Sequence, residues 1–129
     1  MARVLALTAD LMFGSRVHAA LAAAGHDVRL VRSERELNDL LAEPGAGARA
    51  LDVLLVDLTD AALDAAAIYS ALRPKLAGVR TLGYYSHVDP AARERALRAG
   101  IELVVPRSRM AREGADLVAR LQSRERAST

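Results

Sequence analysis

The aliphatic run at residues 51–58 constrains the fold most, because it is short and closes on a carboxylate, Asp57. A strand that is buried on both faces reads as a continuous Val/Leu run, and such strands belong to parallel sheets covered by helices. In open sheets of this kind, ligands bind beyond the carboxyl ends of the strands. The sequence therefore places Asp57 where a reactive acid would lie.

Four further segments carry a strand pattern, and each of the five strands is followed by a helical pattern. These strands are predicted at residues 4–7, 28–31, 79–84 and 101–105. Alternation at this spacing implies parallel strands joined by right-handed crossovers. We predict an α/β fold: a flavodoxin-like, doubly wound, five-stranded parallel sheet in the order 2-1-3-4-5, with helices on both faces.

Capping residues set the predicted helix ends. Ser15 is the predicted N-cap of the first helix, and Gly25 is predicted to end this helix by adopting the left-handed conformation. Asp89 precedes a proline at the start of the fourth helix, and Gly100 ends that helix. The first helix would then open at residues 13–16 and present free N–H groups to an anion.

The length of 129 residues suits one core. We predict a domain over residues 1–122, a flexible tail over 123–129, and a mobile loop at residues 43–48. The chain has no cysteine, which excludes disulfides, thiolate metal sites and cysteine nucleophiles. No run reaches the ~18 apolar residues that a membrane span needs. We expect a cytoplasmic protein without membrane contact.

The net charge is only +2, the arginines of the last third alternate with glutamates, and no aromatic residue lies beside them. Nucleic-acid binding is therefore not expected. The fourth helix, fifth strand and fifth helix form the predicted partner surface, and their mixed charges suit pairing across a two-fold axis in a homodimer. Its predicted residues are Arg93, Arg95, Arg98, Glu102, Arg109 and Arg112.

Five strand–helix units, Asp57 at the end of the third strand and the Ala-Gly segment at residues 99–105 together resemble the receiver domain of bacterial response regulators, the CheY-like superfamily. The resemblance covers nearly the whole chain. It implies a signalling module rather than an enzyme, with a histidine kinase or an output protein as its partner.

The resemblance also implies a site. The phosphorylated Asp of receiver domains matches Asp57, and the acid pair that holds their magnesium falls on Thr8 and Ala9, neither of which is acidic. Asp10 lies one place further on and would join Asp57 as a metal ligand only if the loop shifts.

The remaining site positions also depart from the family pattern. The hydroxyl residue that ends the fourth strand falls on Tyr85, or on Ser86 if the register slips by one. The family's lysine at the end of the fifth strand corresponds to Arg107. We interpret Tyr84 as a core residue. His87 follows the fourth strand in a loop near the predicted site, where it would be able to hydrogen-bond Asp57 or a ligand.

These departures matter because magnesium prefers oxygen ligands and the charge of an acyl phosphate needs cations around it. The guanidinium of Arg107 is not equivalent to the ammonium group of the family's lysine, and the bulky side chain of Tyr85 would crowd a phosphoryl group. We therefore predict an atypical receiver that acts through protein contacts, without a cofactor and without magnesium-dependent phosphorylation. In this prediction Arg107 forms a salt bridge with Asp57.

Two alternatives stay open. In the first, the chain is a working phosphoacceptor of a two-component system that uses Asp57 and Mg²⁺. In the second, it is a small-ligand module that holds the phosphate of a nucleotide or flavin at residues 13–16.

Overall fold

A computed structural model of the protein describes residues 1–43, 51–60 and 62–127, with side chains described through Ser123. Five strands, β1 to β5, span Arg3–Leu7, Asp27–Val31, Val53–Asp57, Arg80–Tyr85 and Leu103–Pro106. Five helices, α1 to α5, span Leu11–Ala23, Glu34–Leu41, Ala65–Leu72, Pro90–Ala99 and Arg107–Ala127. A 3₁₀ turn at Arg73–Lys75 follows α3.

The strands form one parallel sheet in the order β2-β1-β3-β4-β5. This result confirms the predicted fold class and strand order. The central strand β3 is buried along its whole length. A fully buried Val/Leu strand is typical of a parallel sheet with helices on both faces.

Two hydrophobic clusters show how the helices divide between the faces. Successive side chains of a strand point to opposite sides. Leu54 and Val56 lie in the cluster that contains residues of α2, α3 and α4. Val53 and Leu55 lie in the cluster that contains residues of α1 and α5. Asp57 has the same parity as the second pair, so its side chain belongs to the α1/α5 face.

The predicted start of the first helix is wrong. Asp10, not Ser15, is the N-cap, and its carboxylate accepts a hydrogen bond from the Phe13 N–H at 3.1 Å. Asp and Ser cap helices about equally well, so residue type alone does not distinguish the two positions. The predicted anion site at residues 13–16 is lost as well, because these residues lie within α1 and an acid occupies its N-terminus.

The other predicted helix ends are confirmed. Gly25 has a φ of 91° and Gly100 a φ of 106°, the left-handed conformation that favours glycine after a helix. Asp89 caps α4 by accepting a hydrogen bond from the Ala92 N–H at 3.2 Å.

Helix α5 continues to Ala127, beyond the predicted domain boundary at residue 122. The five residues past Gln122 include no glycine or proline, so nothing in the sequence ends the helix earlier. Most of the loop predicted at residues 43–48 lies outside the described residues. None of the described helices has the length and apolar character needed to cross a bilayer.

Candidate functional site

Asp57 is fully buried at the carboxyl end of β3, and both of its carboxylate oxygens accept hydrogen bonds. The Thr8 hydroxyl donates to Oδ2 at 2.6 Å. The Thr59 N–H and hydroxyl donate to Oδ1 at 2.8 and 2.6 Å. O–H···O bonds to a carboxylate are commonly this short. Hydrogen bonds from the protein thus replace water around the carboxylate.

Tyr84 closes the same site from β4. It pairs with Asp57 in the strand register, and its side chain is 2% exposed. Its ring centre lies 5.1 Å from that of Phe13 on α1. Burial, and then the neighbouring Asp57 charge, raise the pKa of the Tyr84 phenol. The phenol therefore stays neutral at physiological pH and adds no second negative charge beside the acid.

Asp10 connects this buried network to the surface. Its backbone N–H donates to the Thr8 hydroxyl at 3.1 Å. Its Oδ1 caps α1, and its Oδ2 pairs with Arg107 at 3.2 Å. Both oxygens of Asp10 therefore already have protein partners.

The predicted salt bridge between Arg107 and Asp57 is wrong. The Arg107 guanidinium pairs with Asp10 and stacks on Phe13, with Cζ 4.3 Å from the ring centre. Within the described parts of the chain, every ion pair involves an acid other than Asp57. The side chain of Arg107 is 45% exposed, so its pair with Asp10 contributes at most about 1 kcal/mol.

The predicted pocket residues divide into separate places. Thr8 and Asp57 meet directly, whereas Ala9 is exposed. Tyr85 packs against the α2/α3/α4 cluster, because strand alternation turns it away from Asp57. Ser86 and His87 line a different cavity together with Arg107. His87 is exposed and forms no described hydrogen bond to Asp57.

The carboxylates of Asp57 and Asp10 do not fit a magnesium ion in this arrangement. Magnesium needs oxygen ligands in near-octahedral geometry and retains several waters. Each of these four carboxylate oxygens has a protein partner, and Asp57 is fully buried. In the described ranges, no group of three or more acidic, histidine or cysteine side chains is arranged to hold a metal ion.

The geometry at Gly14 yields a prediction. A Cβ atom at this helical position would lie 2.9 Å from Cγ2 of Thr8, which the bond to Asp57 holds in place. Gly14→Ala is therefore expected to lower the free energy of unfolding by about 1–3 kcal/mol, as overpacking does. Urea denaturation measures the change.

Gly114→Ala is the matched control, since Gly114 also lies in a helix. A Cβ there meets Cε of Met110, the movable end of a flexible side chain. Alanine also favours a helix by about 1 kcal/mol over glycine. The control should keep or raise the stability, and an equal loss in both variants would contradict the fixed position of Thr8.

The fold and the site's position can be compared with known proteins. No protein-family model matches the sequence, and no curated protein matches it. Solved structures do match. A response regulator receiver domain protein from Clostridium thermocellum is 15% identical, with a TM-score of 0.83 and 100% of each chain covered. The chain has the receiver-domain fold.

Two further structures show the same similarity. The receiver domain of the putative response regulator NarL from Mycobacterium tuberculosis is 22% identical, with a TM-score of 0.74 and 95% and 96% of the two chains covered. A putative response regulator from Chloroflexus aurantiacus is 18% identical, with a TM-score of 0.80 and 95% and 98% covered. The structural similarity establishes the receiver fold. Because sequence identity is this low, the chemistry has to be argued from the residues of the site itself.

Proposed function

We propose that the chain is an atypical receiver-type signalling domain, which acts through protein contacts and is not phosphorylated on Asp57 with magnesium. The proposal rests on the receiver fold and on the closed surroundings of the acid. In this proposal the protein is a binding module that catalyses no reaction of its own.

The full burial of Asp57, with both oxygens bonded by threonines, carries this proposal. A phosphoryl donor must reach a carboxylate oxygen, and cations must offset the charge that develops during transfer. Here Tyr84 and the two threonines surround the acid, while Arg107 is directed at Asp10. Phosphorylation would therefore require Tyr84 and the two threonines to move away from the Asp57 carboxylate.

A small phosphodonor tests the proposal. The protein is incubated with the donor and Mg²⁺ and its intact mass is measured, with a working receiver domain treated in parallel. No mass increase is expected for this chain. A gain of one phosphoryl group that is lost in Asp57→Asn would establish the phosphoacceptor function instead, with a histidine kinase as the expected partner.

We further propose that the face of α4, β5 and α5 forms a homodimer. Arg93, Arg98 and Arg112 on this face are exposed, and Leu97 between the first two is 38% exposed. Two of the predicted interface residues have partners within the chain, since Glu102 pairs with Arg80 at 2.7 Å and Arg109 with Glu113 at 3.2 Å. The exposed arginines remain available to acids of a second copy.

Multi-angle light scattering checks the dimer. The wild-type chain should have twice the mass of the monomer, and Arg98→Glu should shift it toward monomer by reversing one interface charge. Arg29→Glu is the control, because Arg29 is exposed on β2 at the opposite edge of the sheet. A wild-type protein that stays monomeric at micromolar concentration would contradict the proposal.

A further inference from the structure

A basic cavity lies beside the Asp57 network, where the start of α1 meets the loop that precedes α4 and the start of α5. Its volume is about 400 Å³, and Phe13 contributes an apolar wall. Its polar lining residues carry positive charge, an imidazole or a hydroxyl group, and they are Arg16, Arg107, His87, Ser86 and Ser108. None of the described residues that line it is acidic.

Arg107 is held in place at the edge of this cavity before any ligand arrives. Asp10 accepts from its Nη2 at 3.2 Å, and the Phe13 ring lies 4.3 Å below its Cζ. A guanidinium that is stacked on an aromatic ring loses less side-chain entropy when it binds an anion. The preference of this site for an anion thus comes from the cationic side chains and their fixed geometry.

The backbone adds to this preference. Ser108 is the second residue of α5, which has 21 residues and no acid in its first turn. The first N–H groups of a helix have no partner within the helix, and its dipole favours negative charge at that end. The arginines and the N-terminus of α5 therefore both favour an anion in this cavity.

We propose that this cavity is a binding site for a phosphate monoester dianion of a small molecule. A guanidinium group donates two parallel hydrogen bonds to two phosphate oxygens, and hydroxyl groups donate to the remaining oxygens. The volume lies within the range of small-molecule pockets. Asp57 is not among the residues that line this site.

The same geometry makes binding competitive with a contact inside the protein. A phosphate group that binds Arg107 competes with the Asp10 carboxylate for the same positive charge, while the Phe13 ring keeps the guanidinium oriented. The Asp10 N–H is in turn bonded to Thr8. The start of α1 and the network around Asp57 would therefore respond to the ligand. The sensitivity of the site to Asp10 is what distinguishes this proposal from general attraction of anions to a basic surface.

NMR titration of the ¹⁵N-labelled full chain with inorganic phosphate, at constant ionic strength set by chloride, tests the site. Saturable shifts are expected at the amides of His87, Arg107 and Ser108. Arg107→Gln should weaken binding about tenfold, the effect of losing one charge-assisted bidentate contact. Arg29→Gln, on the far edge of the sheet, should leave the affinity unchanged.

Asp10→Asn gives the sharpest result, because its expected effect has the opposite sign. Asparagine caps a helix as well as aspartate does but does not pair with Arg107 as an anion. Binding should tighten about threefold, the size of a surface ion pair released. Absent or unsaturable shifts, equal losses in the Arg107 and Arg29 variants, or no tightening in Asp10→Asn would each overturn the proposal. The mass experiment on Asp57 reports independently of all these outcomes.

Discussion

Replacing Tyr84 with alanine is expected to lower the free energy of unfolding by about 3–5 kcal/mol, the usual cost of removing a buried aromatic side chain. Tyr84 is 2% exposed and packs against Phe13 with a ring separation of 5.1 Å. The substitution removes this contact and leaves a cavity beside the Asp57 carboxylate. Urea or thermal denaturation of the purified variant measures the loss.

Tyr85→Ala is the matched control for this prediction. Tyr85 is the next residue of β4, but it faces the opposite side of the sheet and is only partly buried. Its removal should cost about 1 kcal/mol, the centre of the distribution for single substitutions. If Tyr85→Ala were the more damaging change, the assignment of the two tyrosines to their faces would be wrong.

Thr8→Val is expected to lower the free energy of unfolding by about 2–3 kcal/mol, because a hydrogen bond to a buried charged acceptor is lost. Valine has nearly the same shape as threonine, so the contact with Gly14 is kept. The Oδ2 atom of Asp57 loses the donor that lies 2.6 Å away, and the Asp10 N–H loses its acceptor. Denaturant unfolding measures the change.

Thr81→Val separates the effect of the charged acceptor from that of removing any buried hydroxyl. Thr81 is 2% exposed, and its hydroxyl accepts a hydrogen bond from the Glu102 N–H at 2.9 Å. This neutral bond should be worth about 1 kcal/mol. A Thr81 variant that loses as much stability as the Thr8 variant would mean that the bond to Asp57 has no special strength.

The sequence was sufficient to predict the fold because the signals that define it are local. The continuous Val/Leu run that ends at Asp57 indicated a central parallel strand, and the five alternating units indicated the strand order. Gly100 and Asp89 marked the ends of α4 by their capping chemistry. Each of these features is read from a few neighbouring residues.

The site was predicted less well because its contacts depend on strand register and on tertiary packing. Asp57 was placed correctly, but Tyr84, which closes the site, was assigned only to the core. The pairing of Asp57 with Tyr84 across β3 and β4 decides which tyrosine faces the acid. Alternation puts neighbouring strand residues on opposite faces, but register, which is a tertiary property, decides which of the two faces the acid.

Arg107 and Thr59 illustrate two different reasons for a missed contact. Arg107 has a long side chain, and its choice of Asp10 and Phe13 over Asp57 depends on where α1 meets α5. Thr59 follows Asp57 by two residues, a spacing at which Asp side chains commonly bond the backbone. Only the second of these contacts had a signal in the sequence that could have revealed it.

The most direct measurement is a crystal structure of the protein with Mg²⁺ and beryllofluoride, which mimics a phosphoryl group on a carboxylate. We predict that Asp57 remains buried, with its bonds to Thr8 and Thr59 intact and no ion beside it. An octahedral Mg²⁺ next to Asp57, with beryllofluoride on its carboxylate and Tyr84 displaced, would contradict the proposed function.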